Sequence, residues 1–323
     1  VCKEVSDLVS LFPDRITMAS TGGPVSGDDE QDRKGWQSNT LKLENAGAMA
    51  IEYSLSCPQG GDGTEGDIVS QNAQLSQKII SWILEIGNPE IPKIFKLTGA
   101  VTSIEAILMA IKETFDQFPD KKAGVTLANT FPTMAFRKGN GNKWEEGVIV
   151  GMAGAGALNI SYLSLAKAAP IGVEISGNGG PMTYKEAADF LALGCKTVQF
   201  CSMPTKMGYH IINDLKSGLS HLMENRGINS VEELVGIALP EPIVDFMDLS
   251  PVKMISSSDH ELCVRCGNCS RCPYLAISKD ENGYPVTDSA KCIGCKMCNY
   301  LCFTGAISMR ERTVDEMKVL KED

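Results

Sequence analysis

Eight of the twelve cysteines lie near the end of the chain at a regular spacing. A Cys-x2-Cys-x2-Cys run begins at Cys263 and recurs 29 positions later at Cys292, and a fourth cysteine follows each run. Thiolates two residues apart in a tight loop can converge on an iron–sulfur cluster, while the fourth ligand comes from the other half of the repeat. We therefore assign one 4Fe–4S cluster to Cys263, Cys266, Cys269 and Cys302, and a second to Cys292, Cys295, Cys298 and Cys272.

The cysteine runs belong to an internal repeat. The triplet Ala276-Ile277-Ser278 returns 30 positions later, and Asn282-Gly283 between the halves is a hairpin turn signal. A pair of zinc knuckles is the alternative interpretation, but zinc sites use two cysteine pairs rather than three cysteines in a row.

A second set of candidate residues closes short β-rich segments in the first 203 residues. They are Ser54 to Cys57, Lys96, Asn129-Thr130, Asn178-Gly179-Gly180 and Cys201-Ser202. Enzymes built on a barrel of parallel strands place their sites at these carboxyl ends. The glycine pair precedes a helical segment and therefore offers backbone N–H groups to a phosphate. In the loop of residues 152–159, either Gly154 or Gly156 could do the same.

The elements that must position these residues alternate between strand and helix. Helical periodicity marks Asn72–Leu84, Ser103–Phe115 and Tyr184–Leu193, with further helices at residues 209–226 and 230–237. This alternation predicts an α/β fold with a parallel sheet, and a (β/α)8 TIM barrel needs eight strands. Six are visible, and we expect the first two before Val1. The predicted strands are Arg15–Ser20, Ala48–Ser56, Lys93–Thr98, Gly124–Thr130, Gly172–Gly177 and Thr197–Ser202.

Specific motifs give the chain a resemblance to known families. With Leu55-Ser56-Cys57-Pro58, Lys96-Leu97-Thr98 and Asn129-Thr130, the first part resembles the dihydroorotate and dihydropyrimidine dehydrogenase flavoproteins. The tail resembles two-cluster bacterial ferredoxins, although Phe303 stands where a proline would follow the cysteine. The whole chain resembles the catalytic subunits of bacterial NAD-dependent dihydropyrimidine dehydrogenases. The implied organisation is an FMN-binding TIM barrel over residues 1–240, a linker over 241–260 and an α+β ferredoxin-like domain over 261–323.

The resemblance also implies roles at the barrel mouth. Lys96 would lie near the flavin ring, and Cys57 would be the catalytic acid/base. Ser54, Asn129 and Thr130 would contact the substrate, although the family usually has Asn where this chain has Ser54. The phosphate end of FMN would be held by Asn178, Gly179, Gly180, Cys201 and Ser202. Thiols ionise at about pH 8.5, so a cysteine can deliver a proton near neutral pH.

These roles predict a reductase of the C5–C6 double bond of a pyrimidine such as uracil or thymine. The resemblance implies that electrons would come from NAD(P)H through an FAD-containing partner subunit. A related reductase of another cyclic amide or enone is one alternative. A non-catalytic electron-transfer subunit is the other.

Charge, hydropathy and cysteine spacing exclude several classes of protein. The net charge of −10 argues against a nucleic-acid surface, which would need a basic stripe. No apolar run of about 18 residues occurs, so we expect no membrane span. The tight cysteine spacing argues against secreted disulfides. We expect a cytoplasmic oligomer with a small-molecule substrate.

Overall fold

The computed structural model describes residues 1–57, 68–139, 144–239 and 253–319. The glycine-rich loop that follows Cys57, with Pro58, lies outside these residues. Contacts divide the chain into two units, residues 1–243 and 244–323. None of the described helices is long and apolar enough to cross a membrane.

A six-stranded parallel sheet forms the centre of the first unit. Its strands pair in the order β1-β2-β3-β4-β7-β8, so consecutive strands are neighbours except where a hairpin intervenes in the chain. The six predicted strands are confirmed, within a few residues at each end. The strands of this unit are β1 (Met18–Thr21), β2 (Ala50–Ser54), β3 (Lys93–Lys96), β4 (Ala123–Leu127), β5 (Phe131–Arg137), β6 (Glu146–Met152), β7 (Ile175–Gly177) and β8 (Thr197–Val198).

Helices connect the parallel strands and supply apolar side chains to the main core. Asn72, Ser103 and Thr183 cap three of them, since each side chain accepts a backbone N–H of the first turn. Ile80, Ile83 and Leu108 are fully buried in the same cluster as Tyr53 and Phe95 of the sheet. The helices are α1 (Cys2–Leu11), α2 (Asp29–Asn45), α3 (Ala73–Ile86), α4 (Ile104–Asp116), α5 (Leu158–Ala168), α6 (Tyr184–Ala192), α7 (Ser202–Met207), α8 (Ile211–Asn225) and α9 (Val231–Leu234).

An antiparallel hairpin, β5 with β6, was not predicted. Its register runs from Phe131 opposite Met152 to Arg137 opposite Glu146, where an ion pair of 3.0 Å joins the two side chains. The hairpin follows β4 in the chain, yet β4 pairs directly with β7. It is therefore an addition outside the parallel sheet.

In its described residues, 253–319, the second unit contains two small antiparallel pairs and two short helices. One pair is the hairpin predicted by Asn282-Gly283, and Gly283 adopts a φ of 82° in its turn. Residues 254–258 correct the predicted linker, because they form a strand that pairs with a segment about 50 residues further along. The elements are β9 (Met254–Ser258), β10 (Ile277–Lys279), β11 (Pro285–Thr287), α10 (Met297–Leu301), β12 (Ile307–Glu311) and α11 (Val314–Lys318).

Candidate active site

A cleft opens at the carboxyl ends of the parallel strands. Segments that follow β3, β4, β7 and β8 all contribute to its lining, as expected for parallel strands ending at one edge. The lining includes eight of the residues predicted from the sequence, namely Lys96, Asn129, Thr130, Asn178, Gly179, Gly180, Cys201 and Ser202.

The remaining two predicted residues, Ser54 and Cys57, come from the end of β2. Ser54 pairs in register with Lys96 on the neighbouring strand. The exposed thiol of Cys57 lies 3.6 Å from Asn129 Nδ2, which also donates a 2.8 Å hydrogen bond to Ser56 Oγ. The backbone N–H of Asn129 donates to Leu97 O at 2.9 Å, so Asn129 links the end of β3 to the turn that carries the thiol.

The glycine pair lies tightly against the start of α5. Gly179 and Gly180 have φ values of 88° and 133°, which side chains rarely adopt. A Cβ at Gly180 would lie 2.6 Å from Leu158 Cα, and Ser161 Oγ donates a hydrogen bond to the carbonyl oxygen of Gly179. Only a glycine fits this close approach of two backbones.

The glycine-rich loop before α5 presents one glycine to the cleft. Gly154, with a φ of 61°, lines the cleft, and a Cβ there would come within 3.4 Å of Ser202 Oγ. Gly156 instead packs against the side chain of Met152. Of the two glycines that the sequence allowed, Gly154 is therefore the one placed to face a ligand.

A polar layer crosses the sheet on the face that carries Lys96. Residues paired in register on five neighbouring strands all carry polar side chains. The strands of parallel sheets are usually rich in Val, Ile and Leu, so the layer is a departure from ordinary core packing. Its members are Ser54, Lys96, Thr126, Ser176 and Thr197.

Glu52 lies two residues before Ser54 on β2, so its side chain is on the same face of the sheet, where it contacts members of this layer. The residue is 7% exposed, and its Oε1 accepts hydrogen bonds from Thr126 Oγ1 at 2.7 Å and Gln199 Nε2 at 2.9 Å. Its Oε2 lies 3.8 Å from Lys96 Nζ. Gln199 also accepts a 3.4 Å hydrogen bond from Asn178 Nδ2, which extends the network to the wall of the cleft.

Cysteines of the two repeat halves lie near one another in the second unit. One cavity is lined by the first cysteine triplet and by the fourth cysteine of the other repeat half, as Cys263, Cys266, Cys269 and Cys302. Elsewhere, Cys272 packs in one cluster with Cys292 and in another with Cys298. The fourth cysteine of each half thus approaches the triplet of the opposite half.

The spacing of the thiols tests what kind of group could bind. Throughout the described residues, no three His, Cys, Asp or Glu side chains converge closely enough to hold a single metal ion. Zinc sites need sulfur atoms about 2.3 Å from one ion. Four cysteines line the first cavity, and thiolates are the ligands that iron–sulfur clusters take from proteins.

Comparison with known proteins was made at the level of sequence. No protein-family model matches the chain. The chain is 27% identical over 312 residues to the NAD-dependent dihydropyrimidine dehydrogenase subunit PreA of Escherichia coli (strain K12), which covers 93% of this chain and 73% of that protein. The similarity to PreA extends along almost the whole length of this chain.

Other relatives match shorter stretches. The chloroplastic dihydropyrimidine dehydrogenase (NADP(+)) of Arabidopsis thaliana is 26% identical over 254 residues, which are 73% of this chain and 55% of that protein. The catalytic subunit of dihydroorotate dehydrogenase B (NAD(+)) of Thermoplasma volcanium is 28% identical over 203 residues, 62% of this chain and 63% of that protein. The predicted resemblance to dihydropyrimidine and dihydroorotate dehydrogenases is confirmed.

Sequence reasoning missed the interior residues Glu52, Thr126, Ser176 and Gln199. One signal was available for the first of them. Glu52 is a lone acidic residue in the apolar run Ala50-Ile51-Glu52-Tyr53, and acidic side chains are almost never fully buried without a partner. The three neutral residues carry no comparable signal, because Ser, Thr and Gln are ordinary in strands and loops.

Proposed function

We propose that this chain is the catalytic subunit of a flavin- and iron–sulfur-dependent oxidoreductase that reduces the C5–C6 double bond of a pyrimidine such as uracil or thymine. The observation that carries the proposal is the cleft that unites Lys96, the Asn129-Thr130 pair and the glycine pair, with the thiol of Cys57 3.6 Å from Asn129 Nδ2. The relatives support the class of reaction, since they are dihydropyrimidine and dihydroorotate dehydrogenases by name.

The donor set of the cleft fits FMN. Among its described lining residues are one ammonium group, three amides and a series of glycine backbones, and none of them is a carboxylate. Such a set suits an anionic phosphate at one end and the polar edges of a ring system at the other. Lys96 would lie by the ring. Gly154, Asn178, Gly179, Gly180, Cys201 and Ser202 would surround the phosphate end.

The chain's own residues would perform the acid–base part of the reaction. A bound FMN would supply the hydride for one carbon of the double bond. Cys57 would hold at Sγ the proton that the adjacent carbon receives. Asn129, which contacts both Ser56 and Cys57, would keep that thiol at the cleft, and the positive charge of Lys96 would favour the negative charge that a reduced ring acquires.

The second unit would provide the thiolates for two 4Fe–4S clusters. We infer that each cluster takes three cysteines from one repeat half and one from the other, in the pairing assigned from the sequence. Electrons would originate from NAD(P)H on a separate FAD-containing subunit. This division of labour agrees with the name of the E. coli relative, which is a subunit of an NAD-dependent enzyme.

At the level of fold, the proposal treats the six-stranded sheet as part of a (β/α)8 barrel and the second unit as ferredoxin-like. Parallel pairing in sequential order and a site at the carboxyl ends of the strands support the barrel. The two short antiparallel strand pairs around the cysteines support the ferredoxin-like unit.

An anaerobic assay of flavin, iron and sulfide on the purified protein tests the proposal. We expect about one FMN and about eight iron atoms per chain, since two 4Fe–4S clusters hold that number. Uracil added to the dithionite-reduced protein should then reoxidise the flavin. Iron without flavin would instead indicate a non-catalytic electron-transfer subunit.

A related substrate is the second candidate. Ser54 occupies the position beside Lys96 where the resembling family usually has Asn, and a hydroxyl offers a substrate fewer hydrogen bonds than an amide. This favours a reductase of another cyclic amide or enone. Flavin that is reoxidised by such a compound, but not by uracil or thymine, would establish this alternative.

A further inference from the structure

Glu52 is a buried acidic residue in contact with two residues that line the cleft, Lys96 and Gln199. It lies on β2, and its side chain is 9% exposed, while that of Lys96 is 21% exposed. An ionised carboxylate in such a place needs partners, and it has them in Thr126, Gln199 and Lys96. The question is whether this group serves only the core or also the cleft.

Strand β3, which carries Lys96, also carries the lysine of a second buried ion pair, and that pair has a purely structural arrangement. Lys93 Nζ, at the opposite end of β3, lies 2.6 Å from Glu44 Oε1 and donates further hydrogen bonds to the carbonyl oxygens of Asn88 and Ile91. All three hydrogens of that ammonium group have protein acceptors. Nothing of this lysine is left for a ligand.

The pair at the cleft is built differently. Lys96 Nζ lies 3.8 Å from Glu52 Oε2, which is an electrostatic contact but longer than a hydrogen bond. The carboxylate is instead fixed by its two hydrogen bonds to neutral donors on other strands. Glu52 therefore acts on the charge of Lys96 without using the hydrogens of its ammonium group, which lines the cleft.

We propose that Glu52 is a positioning residue that holds Lys96 at the floor of the cleft and partly offsets its charge, and thereby lowers the reduction potential of the flavin bound there. This inference rests on the proposed FMN site. A positive group beside the ring stabilises the reduced, more negative form and raises the potential. A carboxylate within 4 Å of that group opposes the effect, and such coupling is strong away from bulk water.

The test is the midpoint potential of the flavin in the holoenzyme, measured by anaerobic spectral titration. Glu52→Gln removes the charge and keeps an oxygen for Thr126 and Gln199. We expect the potential to rise by about 30 mV or more, which equals a tenfold change in a two-electron equilibrium. Lys96→Gln should shift the potential in the opposite direction. Glu52→Asp keeps the charge and should stay near the wild type.

Glu44→Gln is the matched control, since it removes the carboxylate of the other buried pair on β3. It should leave the flavin potential unchanged while it destabilises the fold. An unchanged potential in Glu52→Gln, together with a shift in Lys96→Gln, would overturn the inference and leave the proposed function intact. The same shift in both glutamate variants would also overturn it.

Two further outcomes are informative. Loss of FMN from both Glu52→Gln and Glu52→Asp, with native circular dichroism, would show that Glu52 merely supports the cleft, contrary to the inference. A wild-type protein that binds no flavin would overturn the proposed function together with the inference, so the two failures can be distinguished.

Discussion

The thiol of Cys57 is the group on which the proposed chemistry depends. Positioned general acids contribute about 10²–10⁴-fold to rates. We expect Cys57→Ala to lower turnover of the accepted substrate by about that factor, because the variant lacks the thiol that would donate the proton. The flavin content should stay at the wild-type level, since Cys57 is not among the residues that line the cleft.

Steady-state kinetics and flavin spectra on the same preparation check this prediction. Cys201→Ala is the matched control for the loss of an exposed thiol, and it should affect flavin content more than the pH dependence of turnover. Full turnover in Cys57→Ala would exclude the thiol as the acid.

A second cysteine shows the opposite environment. Cys195 is fully buried among Phe190 and other apolar groups of the main core, and burial raises the pKa of its thiol to about 12. In the unfolded chain the thiol loses its proton near its ordinary value of 9.0, but in the folded chain it keeps the proton. The folded state then binds more protons than the unfolded state, so its stability falls as pH rises from about 9 towards 12.

This loss of stability with rising pH predicts a measurable difference between the wild type and Cys195→Ala at alkaline pH. Each pKa unit corresponds to about 1.4 kcal/mol, so the wild type should lose about 2 kcal/mol more than Cys195→Ala between pH 8.5 and pH 10.5. Chemical unfolding followed by fluorescence of the buried Trp36 and Trp82 reports on this unit. If the free energies of unfolding of the two proteins changed with pH by the same amount, the prediction of a buried neutral thiol at Cys195 would be contradicted.

At the residue scale, the sequence predicted what motifs encode and missed what packing creates. Lys96, Asn129 and the glycine pair follow strands directly, so their common edge could be deduced from strand order alone. β3, β4 and β7 separate β2 from β8, so Glu52 and Gln199 meet only because the sheet curves, which no local pattern reveals.

At the scale of the elements, the contact between the glycine pair and α5 fixes the shape of the cleft. Gly180→Ala would place Cβ 2.6 Å from the backbone of Leu158 at a φ of 133°. Gly172→Ala offers a control, because Gly172 also has a positive φ, 79°, but has open space around it. A backbone conformation unsuited to alanine costs of order 1–3 kcal/mol by itself.

We therefore expect both variants to be destabilised, Gly180→Ala by the larger amount. Only Gly180→Ala should also lose FMN, because the loop must move to relieve the clash. Thermal unfolding and flavin content measured on the same samples check both points. Equal FMN content in the two variants would show that the loop tolerates movement.

The elements that the sequence predicted well are those with local signals. Asn72 and Ser103 begin α3 and α4 where their capping side chains stand. The β5–β6 hairpin was missed because Pro132 and Gly147 are poor strand residues. The two segments form strands through their pairing with each other and not through their own strand propensity. β9 was missed because its partner β12 is distant in the chain.

At the scale of the whole molecule, the repeat in the second unit makes a prediction about how two clusters share their ligands. If Cys263 and Cys302 belong to one cluster, then removing both should cost no more iron than removing either. If Cys272 belongs to the other, then the double change Cys263→Ser with Cys272→Ser should remove both clusters.

Iron and sulfide content of the four single and double serine variants checks this pairing, with low-temperature electron paramagnetic resonance to identify the remaining cluster. If the double variant Cys263→Ser with Cys302→Ser lost as much iron as the two single variants together, each half of the repeat would hold its own cluster. The cavity shared by Cys263 and Cys302 favours the first outcome.

The β5–β6 hairpin has a consequence for how such an enzyme can change. Because β4 pairs with β7 without it, the hairpin could lengthen, shorten or be exchanged while the sheet keeps its register. Its base, however, follows Asn129 and Thr130 directly. Evolution, or a protein engineer, could therefore graft a new hairpin here and alter which molecules reach the cleft, with the catalytic floor inherited unchanged.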